Sequence, residues 1–506
     1  MVSCDAKLLE GCKHSISNAH RTTFVMKNPD GVDDDYIIGK TLGDGGYSTV
    51  YKALHKRTGI TRAVKKLDKE RTKQAQFEIE VRALITLDHP NIVKVIEYFE
   101  DEDNFHLVMQ LCPGSDLFQH IADTGENTVP GLPEAEAAAL FRQCLLAVSG
   151  CHFKGVIHRD LKPENFIFDP STGFVKLIDF GLCCHNTFRL SEAAGTSCYM
   201  APECFKSEHV ADDTQDLWSL GCILFVMMTC EYCPDGNDVF ENPDCLEKHF
   251  ESCARYQALS PSAKDLITRL MQVEPSQRLD IQGVLEHPFL AGTEDKNERQ
   301  RRFAWSFMHL PWKMRQFAQA PLVKKLAFAC IVHLATVSSL TPALQMEFDK
   351  ARQLFRSLDP EGKGSVSEAE LQTRLTKEGV QPPSDFGDIF KACLRTSFGT
   401  GYAKRQGEMD YSVFVACQMM DAAWPDILYR EAFYILDRSR NGVIETEELL
   451  LLVRAGASDP LKVKLDAAAR DLDFINYDRF LETMKPPQGT LPHRLRGLIK
   501  GVIFGS

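Results

Sequence analysis

No stretch of this 506-residue chain is apolar over the roughly 20 residues that a membrane-spanning helix needs. The most apolar long stretch, Leu326 to Leu340, is too short and carries His333, so no transmembrane segment is expected. A positive charge excess is missing too. Against 70 Asp and Glu stand 58 Lys and Arg, for a net charge of -12, which argues against general nucleic-acid binding. The 17 cysteines follow no repeating framework, and no signal peptide is evident; reduced thiols in the cytoplasm are the expectation. Residue 2 is Val2, not the glycine that N-myristoylation requires. Residues 1–35 read as an irregular leader ending in Asp33-Asp34-Asp35. The length allows about three domains of ordinary size.

What is present is concentrated in motifs. His158-Arg159-Asp160-Leu161-Lys162-Pro163-Glu164-Asn165 is followed by Asp179-Phe180-Gly181 and then Ala201-Pro202-Glu203. Phosphoryl transfer from ATP needs a group beside the incoming hydroxyl, a cation on the transferring phosphoryl and oxygen ligands for Mg²⁺. Asp160, Lys162, and Asn165 with Asp179 offer these in order. Upstream, Leu42-Gly43-Asp44-Gly45-Gly46-Tyr47-Ser48-Thr49-Val50 has the form of a glycine-rich hairpin whose backbone N–H groups can approach phosphates. Alone, such a run is an ordinary tight turn. Arg62-Ala63-Val64-Lys65 follows on a strand-like stretch, and Glu80 lies ten residues before Pro90.

In that order and spacing these motifs resemble a eukaryotic-type protein kinase. The resemblance implies that Lys65 contacts the α- and β-phosphates and pairs with Glu80 on helix C. It implies a nucleotide site of Leu42, Gly43, Gly45, Val50 and Ala63, with Met109 as gatekeeper, Gln110 and Cys112 in the hinge, and Asp116 at the ribose. Ser48 replaces the third glycine of the usual pattern. Lys162 favours Ser/Thr over Tyr, and Asp116 and Glu164 match positions that receive basic side chains upstream of the acceptor. In the activation segment, Thr196 matches the position under the substrate. Arg159 wants an anion partner, and Glu192 offers one without phosphate at Thr187 or Ser191. Asp216 is expected to brace the catalytic loop, and Arg278 to pair with Glu203. Cys230, Cys233, Cys245 and His249 have zinc-ligand spacing, with idle thiols as the alternative.

A second informative region starts after residue 345. Asp437-Arg438-Ser439-Arg440-Asn441-Gly442-Val443-Ile444-Glu445-Thr446-Glu447-Glu448 is a full EF-hand loop. Asp437, Ser439 and Asn441 would give side-chain oxygens, Val443 its carbonyl, Glu445 a direct or water-mediated contact, and Glu448 a bidentate carboxylate. Apolar residues at helical spacing flank it, and its bland alternative is an acidic turn between helices. Asp359 to Glu370 is a poorer loop, with Asp359, Glu361 and Glu370 as candidate calcium ligands but Lys363 where an oxygen belongs. Gly407 to Phe414 and Phe474 to Phe480 look like remnants of two more hands, with Val413 and Arg479 at the last ligand position. Between the domains, Met314 to Ala318 and Leu322 to Ala329 read as a basic amphipathic helix of the kind EF-hand lobes grip.

Kinase, basic junction and four hands in one chain resemble the calcium-dependent protein kinases of plants and apicomplexan-type protists. The expected fold class is α+β: a bilobal protein kinase fold over residues 36–290, a basic junction or autoinhibitory segment over 291–345, an all-α EF-hand domain with mostly degenerate hands over 346–485, and a tail over 486–506. ATP, Mg²⁺ and Ca²⁺ are the implied cofactors. Protein substrates with basic residues upstream of Ser/Thr are the implied partners, together with intramolecular contact between junction and hands. The alternatives are a constitutively active kinase whose hands are a docking module, and a pseudokinase scaffold. Arg494 and Arg496 in the apolar tail raise contact with an anionic membrane surface, against simple folding back on the hands.

Overall fold

The computed structural model describes residues 25–45, 48–125, 131–186, 189–190, 194–206, 209–291, 296–335, 339–394, 407–445, 447–449 and 474–485. Its first lobe is built on a six-stranded sheet. In spatial order the strands are Met26–Lys27, Val95–Glu100, Asn104–Gln110, Thr61–Asp68, Ser48–His55 and Tyr36–Asp44. All neighbours are antiparallel except Met26–Lys27, which runs parallel to Val95–Glu100 with Met26 opposite Glu97. The leader expected to be irregular over 1–35 therefore joins the fold from residue 25. Asn28 is buried and donates to Asp35 (2.8 Å) and Glu97 (2.9 Å), and the short helix Val32–Asp35 follows. A two-residue strand has no periodicity to read; only the sheet edge it meets makes it a strand.

Alternation along the central strands decides what each face does. On Thr61–Asp68 and Asn104–Gln110, Leu67, Phe105, Leu107 and Met109 join the core that includes Phe77, Val81 and Leu84 of the Gln74–Thr86 helix. Val64 and Val108 join a different core, shared with the C-terminal half of the chain. The sheet is thus covered on both faces, which is why Leu107-Val108-Met109 is unbroken by polar residues.

The large lobe is helical. Its central helix, Asp213–Thr229, is buried at every residue from Gln215 to Thr229, as a helix apolar all round must be. Asp212 caps its start by accepting from the Thr214 N–H, and Cys230 ends it at φ 54° in the left-handed region. The zinc reading fails just beyond. Among the described residues no group of three or more His, Cys, Asp or Glu side chains is placed to hold a metal. Cys233 turns inward, 3.9 Å from the Met271 sulfur, and the His249 ring packs 5.5 Å from Phe225.

Beyond residue 295 the regular elements described are helices and short loop strands. Lys296–Gln319 and Leu322–Leu334 precede Pro342–Leu358, Glu368–Lys377, Phe386–Leu394, Tyr411–Gln418, Asp426–Leu436 and Tyr477–Met484. Two antiparallel contacts link the loops in pairs, Ser365–Ser367 with Glu408–Asp410 and Val443–Glu445 with Phe474–Asn476. Helix Pro342–Leu358 runs across the boundary expected at 345/346. The junction departs from expectation as well. Leu322–Leu334 is not an amphipathic surface helix, because all of Val323–Val332 and Leu334 are buried. Lys324 and Lys325 bury their stems and reach the carbonyls of Lys485 and Ala318 at 2.6 Å. The helix lies between Tyr411–Gln418 and Asp426–Leu436 on one side and the outer face of the small-lobe sheet on the other. No helix of the described residues is long and apolar enough to cross a membrane.

Polar groups fix this docking. Arg62 pairs with Glu431 in the buried interface, Thr58 donates to Glu431 at 2.8 Å, and Asp88 accepts from the Ser412 N–H and hydroxyl, both at 2.8 Å. His333 donates Nε2–H to the Val95 carbonyl at 2.7 Å. Burial lowers the pKa of both His333 and the neighbouring interface residue His55 to about 4. Unfolded imidazoles take up protons near pH ~6.5, so between these values the unfolded chain binds more protons and stability rises with pH. The stabilisation is complete above the unfolded value and is lost as pH falls towards the folded one. Melting temperature followed from about pH 7.5 down to about 4.5 should therefore drop, and His333→Asn should flatten part of that drop. An equally steep profile in the variant would count against this origin.

Candidate active site

Lys65 projects from its strand into the cleft, where its ammonium meets Glu80 of the Gln74–Thr86 helix at 2.6 Å and Asp179 at 2.8 Å. Burial works against the ammonium, yet the two carboxylates overcome it and hold the Lys65 pKa above the usual lysine value. Burial raises the Glu80 pKa, with Lys65 opposing. For Asp179 burial is outweighed by Lys65 and by the Gly181 N–H at 3.0 Å, so its pKa falls below the usual range. The Asp-Phe-Gly segment is turned inward, with Phe180 fully buried and 5.0 Å from the His158 ring.

The catalytic loop is held from below. Asp216, on the buried helix, accepts from the backbone N–H groups of His158 and Arg159 at 2.9 Å and is reached by His152 Nε2 at 2.8 Å. Arg159 sits at φ 70°, a left-handed conformation that a non-glycine residue keeps only where its surroundings impose it. Above it, Asp160 Oδ1 accepts from the Thr196 N–H and hydroxyl at 2.9 Å, and Asp160 Oδ2 accepts from Lys162 Nζ at 3.0 Å. Lys162 also donates to the Thr196 hydroxyl at 2.9 Å, and Asn165 Nδ2 donates to the Asp160 carbonyl at 2.7 Å. Glu203 and Arg278 form a two-bond pair at 2.6 and 2.7 Å. Thr187, Ser191 and Glu192 lie outside the described residues.

The nucleotide-side residues divide. Leu42, Gly43 and Val50 sit on the first hairpin, with Gly43 opposite Val50, and Gly45 closes it by donating to the Ser48 carbonyl at 2.9 Å; Gly46 and Tyr47 are outside the described residues. Ala63 is opposite Met109 in the sheet, and Met109 is buried. Gln110 Nε2 donates to the Ala335 carbonyl at 3.4 Å, and Cys112 lines an interdomain cavity with Lys176 and Arg352. Gln110, the last residue of its strand, thus faces the regulatory half, while the half-buried Cys112 also packs against the core of the catalytic domain. Asp116 accepts from the Gln119 N–H at 2.8 Å and so caps the Leu117–Gly125 helix.

The two better loops beyond residue 345 are built differently. In the third hand, Asp437 accepts from Asn441 (3.1 Å) and Gly442 (2.9 Å), and Glu448 accepts from the N–H groups of Ser439 and Glu445 at 2.8 Å. Burial and then the Glu448 charge raise the Asp437 pKa, against the pull of the Gly442 N–H. Two carboxylates that repel each other around a Gly442 turn suit a bound cation, with Ser439, Asn441 and the Val443 carbonyl as further oxygens. In the first hand the place of that cation is taken. The Lys363 ammonium bonds to Glu370, Asp359 accepts from the Lys363 and Gly364 N–H groups at 2.8 and 2.7 Å, and the Glu361 carbonyl accepts from Ser149 of the large lobe at 2.5 Å. Of the expected low-affinity calcium set Asp359, Glu361 and Glu370, Glu370 is taken by a lysine at the fifth position that is long enough to reach the twelfth, Asp359 is tied to loop N–H groups as Asp437 is, and Glu361 bonds through its carbonyl. Val413 is fully buried and Arg479 exposed, so the last-ligand positions of the other two hands serve packing and surface. The loop over 395–406 and the tail over 486–506 are outside the described residues.

The protein kinase domain family model matches residues 36–290. Calcium-dependent protein kinase 5 of Plasmodium falciparum (isolate 3D7) is 29% identical over 480 residues, covering 91% of this chain and 80% of the relative. Calcium-dependent protein kinase 5 of Plasmodium berghei (strain Anka) is 30% identical over 437 residues, covering 84% and 73%. Calcium-dependent protein kinase 32 of Arabidopsis thaliana is 30% identical over 489 residues, covering 91% and 84%.

Proposed function

The chain belongs to the calcium-dependent protein kinases, and from that premise we propose that it phosphorylates Ser/Thr hydroxyls of proteins with basic residues upstream of the acceptor, under calcium control exerted through the Asp437–Glu448 loop. One observation carries the catalytic part. Lys65 is clamped between Glu80 and Asp179, while Asp160, Lys162 and Thr196 are mutually bonded on the opposite side of the cleft. This geometry disfavours a pseudokinase. Mg²⁺, for which Asn165 and Asp179 are the oxygen donors, neutralises charge on the ATP phosphates when bound. Lys65 would fix the phosphates against the small lobe. Asp160 would exchange its Thr196 hydroxyl for the substrate hydroxyl, orienting it and taking its proton, and Lys162 would face the transferring phosphoryl group. Glu164 supports the basic preference, since its carboxylate has a buried oxygen without a hydrogen-bond partner. The 17 cysteines, which follow no repeating framework, support a reducing compartment such as the cytoplasm.

The test is activity on a serine peptide with upstream arginines, titrated from chelator into micromolar calcium, beside Glu448→Gln. The expected result is activation by calcium in the parent and its loss in Glu448→Gln, with a peptide carrying upstream glutamates phosphorylated poorly. Equal activity in chelator and calcium would leave the kinase chemistry standing and make the hands a docking module.

A further inference from the structure

The first hand holds its shape with a charge of its own. Lys363 Nζ bonds to one oxygen of Glu370, while the Ser367 N–H and hydroxyl bond to the other at 2.8 Å. Asp359, at the opposite end of the loop, is tied by the N–H groups of Lys363 and Gly364. The twelfth ligand position is therefore held by the ammonium and the first by the loop's own N–H groups, so the loop stays curled with a cationic side chain on the carboxylate that a divalent cation would take in a working hand.

The loop so shaped is an interface. Its Glu361 carbonyl accepts from Ser149 on the Glu134–Phe153 helix. Gly362, at φ 72°, lies so close to that helix that a Cβ would come within 2.8 Å of the Leu146 side chain and 2.9 Å of its carbonyl oxygen. Gly364, at φ 79°, would meet the Asp88 carbonyl at 2.7 Å. Only glycine in the left-handed region allows both approaches, and both depend on the loop staying curled. In the third hand Asp437 is tied by two loop N–H groups in the same way, but no lysine stands between its carboxylates, and a Cβ at Gly442 would meet nothing within 4 Å.

We propose that Lys363 makes the first hand a calcium-independent docking site for the catalytic domain, its ammonium replacing the divalent cation so that the loop stays seated on the Glu134–Phe153 helix at every calcium level. Calcium then acts on the third hand alone, a division that rests on the regulatory reading above. A dead loop by the ligand rule is, on this view, a hand fixed in the docked state.

Hydrogen–deuterium exchange of the full chain tests this, read at amides 361–366 in chelator and in calcium. The parent should be equally protected in both. Lys363→Met should exchange about fivefold faster in both, the scale of a lost partly exposed ion pair. Lys363→Arg, which keeps the charge, should stay protected. Lys363→Asp restores an oxygen ligand; it should lose protection in chelator, regain it in calcium, and add a second calcium site by titration calorimetry. Parent protection that appears only with calcium, or Lys363→Met behaving as the parent, would overturn the proposal. Failure of the third-hand reading shows separately, as an unchanged calcium response in Glu448→Gln.

Discussion

Asparagine in place of Asp160 should lower kcat by about 10³-fold and leave the KM for ATP within about threefold of its original value. The carboxylate is an acceptor in every bond it makes, two from Thr196, one from Lys162 and a longer one from Asn165. An amide fits the space but must turn an NH₂ group towards an ammonium or towards a backbone N–H. It can neither take the proton of the substrate hydroxyl nor hold that hydroxyl in the same direction. Lys65, Glu80 and Asp179, which would carry the nucleotide, do not touch the Asp160 side chain in the contacts described, so ATP affinity should change little. Steady-state kinetics on a basic peptide, with nucleotide binding measured separately, decides this. A variant within tenfold of the parent kcat would mean that positioning and charge, with no proton acceptor, suffice for this enzyme.

Removing Glu431 should have the largest effect on stability. Its carboxylate is the buried partner of Arg62, whose side chain is 1% exposed, and the two are 369 residues apart in sequence. With alanine there, the guanidinium would keep only the Leu334 carbonyl at 3.4 Å among the partners described. Stranding one member of a buried ion pair costs about 3–5 kcal/mol, whereas replacing both by apolar residues of similar volume is often neutral. Glu431→Ala should therefore lower the first unfolding midpoint markedly, and Arg62→Met with Glu431→Leu should recover most of the loss. A double variant as unstable as Glu431→Ala would show that the pair's directed bonds, and not its desolvation, hold the interface. Catalysis should feel the single change as well. Arg62 and Lys65 lie on one strand, Thr61–Asp68, so loosening its outer face loosens the lysine on its inner face.

The candidate active site was legible because its parts converge on one small ligand. Asp160, Lys162, Asn165, Asp179, Lys65 and Glu80 stand at spacings that only a fixed arrangement of strand, helix and loop explains, and the structure brings Lys65 to Glu80 and Asp179, and Asp160 to Lys162 and Asn165. The side-chain directions of Gln110 and Cys112 were not legible in the motif that named them. Strand alternation turns Gln110 outward, and whether outward means solvent or another domain is not a local property. The junction shows the same gap. Its two lysines read as the polar side of an amphipathic helix, yet long stems let them reach carbonyls from within a buried segment.

By itself the sequence determined the chemistry that each segment can perform: which residues can move a proton, neutralise phosphate or ligate a hard cation, and in which order they occur. Local pattern sufficed there because catalytic and ligand roles are tied to residue type and spacing. Only the tertiary structure decided how the two halves meet. It put the junction against the outer face of the small-lobe sheet, paired Arg62 with Glu431, drew residues 25–35 into the fold, and showed Lys363 closing the loop it was expected to spoil. These outcomes depend on burial between segments hundreds of residues apart. The free energy of such contacts comes from desolvation and charge pairing across an interface, and neither segment's sequence records the partner that supplies the other side.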